Sequence, residues 1–195
     1  MPKLYILCGP SGSGKSTWAH TEMQDTMYVS RDEVRMRYLK EGEDYFSHEK
    51  EVFKTFVKEI ADRIIKGCDT IADATHLNMF SRLKLMQALD NYTRDYEVIY
   101  IVFHTDADTC VERNKNRTGR ANVPENVIRN MCRDFREPTF DEDDRIIAIQ
   151  DAITGNITIK DCRSCKHGFM DEQFNVPMCH NNEHCKNFEH WEKGD

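Results

Sequence analysis

The run GPSGSGKST, Gly9–Thr17, constrains this chain more than any other. It fits G-x-x-x-x-G-K-[ST] and stands between an apolar strand pattern, KLYILC, and the residues that open a helix, where a phosphate-binding loop must stand. Gly9, Gly12 and Gly14 let the backbone fold so that successive N–H groups point inward. The positive end of the following helix adds to that field. Lys15 is placed to reach β- and γ-phosphates, and Ser16 to offer a hydroxyl to Mg²⁺. The expected nucleotide site is therefore Gly9, Ser11, Gly12, Ser13, Gly14, Lys15, Ser16 and Thr17. A guanine-reading Asn-Lys-x-Asp run is absent from the sequence, which favours ATP.

Around this loop, apolar strand-like runs alternate with helical patterns: MYVS, a long helix carrying Phe53, Phe56, Val57, Ile60 and Ile64, then CDTIAD, EVIYIVF and RIIAIQ with helices between them. Such alternation predicts an α/β fold with a parallel sheet covered by helices on both faces. At 195 residues and 22.9 kDa, the chain has room for one core and an appendage. The pattern changes near Thr154–Asn156, so we expect a P-loop domain over 1–154 and a cysteine-rich module over 155–195. No stretch approaches the roughly 18 apolar residues of a membrane span, and the N-terminus runs straight into a strand pattern. Both point to a cytoplasmic protein with no membrane partner. A net charge of −7 argues against general coating of nucleic acid but leaves room for a local basic cleft.

Two further segments carry candidate chemistry. SRDEVR follows the second strand, and ligands in open α/β sheets gather at the carboxyl ends of strands. Ser30 and Glu33 have the spacing of a capping box, and Asp32 suits a first helical turn on dipole grounds alone. The competing reading makes Asp32 the acceptor of a proton from an attacking hydroxyl, with Arg31 and Arg35 holding an anionic acceptor. RNKNRTGRANVP, Arg113–Pro124, holds Arg113, Lys115, Arg117 and Arg120 with no acidic residue. It reads as a lid closing over a triphosphate, or as a solvated basic turn. The acidic run Asp141–Asp144 reads as a solvated loop. Cys8, Cys68, Cys110 and Cys132 read as small core residues.

GPSGSGKSTWA, SRD-x-x-R, the D-x-T-x-L-N of ADATHLN, RN-x-x-R and a following Val-Pro resemble, in type and order, the bacteriophage-type polynucleotide 5′-kinases, over about Lys3 to Arg136. The resemblance implies strand order 2-3-1-4-5, ATP with Mg²⁺ as donor, and a nucleic-acid 5′-hydroxyl as acceptor. It further implies Asp32 as general base, Arg35 on the acceptor's phosphate, and Arg117 as the lid arginine beside Arg113 in the ATP site. Asp-Ala-Thr at 73–75 departs from the phage pattern and looks more like bacterial RNA end-healing kinases. Asp73 and Thr75 then line the acceptor channel, or Asp73 is a strand-end carboxylate held through water to Mg²⁺. A phosphatase domain, present in the phage enzyme, has no counterpart in this sequence. A small-molecule or nucleoside kinase on the same fold, and a nucleic-acid-binding ATPase, are the alternatives. DNA, RNA and tRNA acceptors, and a homo-oligomer, stay open.

The tail spacing C-x₂-C-x₁₃-C-x₅-C places Cys162, Cys165, Cys179 and Cys185 as a thiolate set for one structural Zn²⁺. His167, His180 or His184 could stand in for one of them.

Overall fold

The computed structural model describes residues 1–22, 27–117 and 122–159, and two short strands at 168–171 and 176–179. Its elements, in chain order, are β1 (Lys3–Cys8), α1 (Lys15–Glu22), β2 (Tyr28–Ser30), α2 (Arg31–Tyr38), α3 (Glu49–Ile65), β3 (Thr70–Asp73), α4 (Met79–Leu89), β4 (Glu97–Val102), α5 (Ala107–Lys115), α6 (Glu125–Asp134), β5 (Ile146–Asp151) and β6 (Ile157–Ile159). A hairpin of β7 (Gly168–Asp171) and β8 (Val176–Cys179) follows.

The main sheet runs β2-β3-β1-β4-β5-β6. Its first five strands are parallel, in the order that the kinase resemblance implies. Strand β6 is an antiparallel edge on β5, so the sheet reaches residue 159, past the limit of 154 expected from the pattern.

Alternation along each strand feeds two cores, because successive side chains leave opposite faces of a sheet. Leu4, Ile6 and Cys8 of β1 join Val98, Tyr100 and Val102 of β4 beneath α2, α3 and α4. Leu7, Ile71, Ile101 and Phe103 pack with Ala19 of α1 on the other face. The helix α3 presents Val52, Phe56, Ile60 and Ile64 inward. Phe53, expected in that stripe, is only half-buried. Cys68 is exposed, against expectation, because it sits in the turn between α3 and β3, while Cys8 and Cys110 are buried.

The acidic run Asp141–Asp144 is solvated only at its ends, Asp141 and Asp144. Glu142 is buried with Arg82 of α4, their side chains 2% and 0% exposed. Arg82 Nε donates to Glu142 Oε2 at 2.8 Å, and its other nitrogens reach Glu142 Oε1 and the carbonyls of His76, Arg136 and Glu137. Tyr100 Oη donates to the same carboxylate at 3.2 Å. Asp143 and Asp90 bind Arg145, whose guanidinium lies over the Tyr96 ring. A single acidic run thus supplies two arginine anchors, which no helical or strand period announces.

A buried pair satisfied on all sides is costly to break from one side. Glu142→Ala should destabilise the fold by about 3–5 kcal/mol, read as a lower urea midpoint by circular dichroism. The Arg82→Met/Glu142→Leu double variant should recover most of that loss.

Candidate active site

The phosphate loop joins β1 to α1 under tight constraint. Gly12 and Gly14 have φ of 84° and 103°, in the left-handed region that side chains rarely adopt. A Cβ at Gly12 would stand 2.4 Å from the Cys110 carbonyl oxygen, so α5 presses on the loop. Gly9 N donates to the Thr75 carbonyl at 2.9 Å. Arg113 Nη1 and Thr105 Oγ1 both donate to the Ser13 carbonyl at 3.1 Å. Lys15 is buried and donates to the carbonyls of Gly9 at 3.0 Å and Pro10 at 2.7 Å. Desolvation by burial lowers its pKa, with the Asp73 charge opposing.

Asp73, at the carboxyl end of β3, is 7% exposed. Its Oδ2 accepts from Ser16 Oγ at 2.7 Å and from Tyr28 Oη at 2.5 Å. Burial and the Asp73 charge push the Tyr28 phenol well up. Of the two roles open for Asp73, this pairing favours the one beside Ser16. Two adjacent hard oxygen donors at the mouth of a phosphate loop fit Mg²⁺. The loop after Asp73 is braced by His76, a non-glycine residue at φ 40°. Its Nδ1 lies 3.0 Å from the Leu7 carbonyl, and burial drives its pKa down to about 4. The imidazole is therefore neutral and donates through Nδ1–H.

In SRDEVR the helix cap and an exposed carboxylate on a cavity stand side by side. Ser30 caps α2, its Oγ accepting from Glu33 N at 3.3 Å, while the Asp32 side chain stays 75% exposed. Asp32 opens into a cavity of about 670 Å³ that also takes in Lys15, Ser16, Asp73, Thr75 and Arg117. Asp32 Oδ1 accepts from Tyr45 Oη at 2.9 Å and from Arg35 Nη1. Arg35 is buried, with its guanidinium 4.6 Å from the centre of the Tyr45 ring and Nη2 on Glu49 at 2.9 Å. Glu49 also takes Arg31. The Nε atoms of Arg31 and Arg35 are buried with no hydrogen-bond partner.

The cavity is also lined by Val123, just before α6, and by Val127 and Met131 on it. Arg117 Nη1 lies 3.2 Å from Ser11 Oγ. Buried Asn114 fastens the far end of the loop: Nδ2 donates to the Val123 carbonyl at 2.7 Å and Oδ1 accepts from Val123 N at 3.1 Å. Arg120 lies outside the described residues, as do Cys162, Cys165 and Cys185. Cys179 ends β8.

The structure thus gathers Lys15, Ser16, Arg31, Asp32, Arg35, Asp73, Thr75 and Arg117 on one cavity. Arg113 instead grips the loop backbone, and Thr17 lies on α1. Sequence reasoning passed over Tyr28, Tyr45, Phe46, Glu49 and Asn114. The adjacent Tyr45 and Phe46, in the loop between α2 and α3, were the available signal, since aromatics placed on loops are seldom there for packing.

Three solved structures resemble the chain. A sugar kinase from Janibacter sp. HTCC2649 is 17% identical with a TM-score of 0.53, over 78% of this chain and 86% of that one. A gluconokinase from Sinorhizobium meliloti 1021 is 18% identical with a TM-score of 0.50, over 78% and 83%. A chain of the Pnkp1/Rnl/Hen1 complex is 28% identical over 57% of this chain and 38% of that one, with a TM-score of 0.49. The first two share the fold. The family described as AAA domain matches residues 4–138, the stretch that holds the phosphate loop, Asp32, Asp73 and Arg117, and the chain belongs to that family, on a P-loop kinase-type fold.

Proposed function

We propose that the chain transfers the γ-phosphate of ATP to the 5′-hydroxyl of a polynucleotide, as a cytoplasmic end-repair kinase. The observation that carries this reading is Asp32, an exposed carboxylate on the cavity that Lys15 and Ser16 share, flanked by two arginines and the Tyr45 and Phe46 rings. Asp32 takes the proton of the attacking hydroxyl, the hydroxyl oxygen forms the new bond to the γ-phosphorus, and the bond to the ADP oxygen breaks. Tyr45 and Arg35 both occupy Oδ1 of Asp32, which leaves Oδ2 for the incoming proton. Arg35 or Arg31 faces the acceptor's phosphate, and the buried, unpartnered Nε atoms suit an added anion. Lys15 and Arg117 face charge on the transferred group. Ser16 and Asp73 would hold Mg²⁺, which supplies charge neutralisation on the β- and γ-phosphates when bound with ATP. Aromatic rings beside the arginines favour a base-bearing acceptor over a sugar.

Transfer from γ-labelled ATP to 5′-hydroxyl DNA, 5′-hydroxyl RNA, a nucleoside 3′-phosphate and gluconate tests the reading. Label on nucleic acid is expected, and label on gluconate alone overturns it. Asp32→Asn should keep ATP affinity while lowering turnover by roughly 10²-fold or more. Near-normal transfer would reduce Asp32 to a helix-end residue. Tyr45→Phe should lower turnover several-fold without changing the KM for ATP, because it frees the carboxylate to rotate. Arg117→Ala should depress turnover more than ATP binding, since its charge acts on the transition state. Lys15→Ala should abolish transfer.

The segment that follows β6 is proposed to hold one structural Zn²⁺ through Cys162, Cys165, Cys179 and Cys185, four soft donors with the spacing of a tetrahedral site. Metal analysis before and after a strong chelator should give one zinc per chain, lost in Cys162→Ser. A stoichiometry near zero with all four thiols reactive rules the zinc out.

A further inference from the structure

Beside the cavity, cationic and aromatic side chains gather about Phe53. Arg31 lines the cavity, and its guanidinium carbon lies 5.3 Å from the centre of the Phe53 ring. Lys84 Nζ lies 4.9 Å from that same ring centre. Lys84 is on α4, where Phe80 precedes it by one helical turn and so shares its face. Phe80 is 75% exposed and Phe46, at the cavity, is 62% exposed. Phe53 is half-buried, packed against the core while its ring stays within reach of both cations. In a chain of net charge −7, α4 has no acidic residue along its length, and with Arg82 buried against Glu142 its exposed cation is Lys84. Among the described residues no carboxylate pairs with Lys84. The loop that contributes Asp73 and Thr75 to the cavity runs directly into α4, so these residues adjoin the cavity.

Exposed phenyl rings interleaved with cations are what single strands bind, because every base has a face to stack and every linkage a charge to meet. Core packing does not account for Phe80. We infer that Phe46, Arg31, Phe53, Lys84 and Phe80 form a track for single-stranded polynucleotide, which extends the acceptor site past its first nucleotide. The inference rests on the polynucleotide reading of that site and adds that the acceptor is a strand rather than a mononucleotide.

The test uses the full chain and two readouts: binding of a 3′-labelled single-stranded octanucleotide with a free 5′-hydroxyl, and kcat/KM for transfer to that octanucleotide and to a nucleoside 3′-phosphate. The wild type should prefer the longer acceptor. Phe80→Ala/Lys84→Ala should weaken octanucleotide binding about tenfold, the scale of a lost stack and charge contact. The ratio of the two kcat/KM values should fall by a similar factor. Both side chains are exposed, so thermal unfolding should not move, and Lys84→Arg should retain binding. Octanucleotide binding no tighter than that of the mononucleotide, or unchanged in the double variant, overturns the track. If the double variant loses binding while neither acceptor is labelled by the wild type, the kinase reading falls and the track stands. If both acceptors are labelled equally by both proteins, the kinase reading stands and the track falls.

Discussion

The position of β3 between β1 and β2 is the constraint from which the site follows. Parallel pairing sets Ser30 beside Asp73 and Ile6 beside Ala72, so three strands end along one edge. At that edge β1 turns into the phosphate loop, β2 into the helix that carries Asp32, and β3 into the Asp73 carboxylate. Asp73 then ties the three together through hydrogen bonds from Ser16 and Tyr28. A different strand order would leave the same motifs intact and scattered.

Charge is arranged differently on the two sides of the cavity. On the α2 side, Arg31 and Arg35 are compensated by Glu49 and Asp32. On the loop side, Lys15, Arg113 and Arg117 are held by neutral acceptors: the carbonyls of Gly9, Pro10 and Ser13, and the Ser11 hydroxyl. Neutral partners fix the geometry of a cation without cancelling its field. A highly charged anion is therefore drawn to the phosphate loop, although the chain as a whole is acidic.

The parallel sheet and the phosphate loop could be read from the sequence because each has a period or spacing imposed by backbone physics, whereas the strand order came only from the kinase resemblance. The apolar alternation of β1 and β4 and the glycines at 12 and 14 are of this kind. Asp32 was ambiguous in the sequence, since a capped helix start and a cavity carboxylate require the same letters, and the structure contains both. What could not be read depends on tertiary contact. Glu142 looks like any loop acid until Arg82 arrives from sixty residues away. Glu49 has meaning only once α2 and α3 place it against two arginines. Cys68, one residue beyond an α3–β3 turn glycine, had no pattern to mark it as exposed.

Arg113 and Arg117 were alike in sequence and are unlike in structure. Arg113 stands on α5, where the helix fixes its root, and it donates to a backbone carbonyl that has no freedom to turn. It therefore acts on the shape of the loop whether or not a phosphate is present. Arg117 lies just past the end of α5 and rests on the Ser11 hydroxyl, a rotatable partner that a phosphate oxygen can replace. Asn114, between them, binds Val123 on the far side of the loop, so the stretch carrying Arg117 is closed at its base. Asn114 thereby ties the root of Arg117 to the segment that brings Val127 and Met131 to the same cavity.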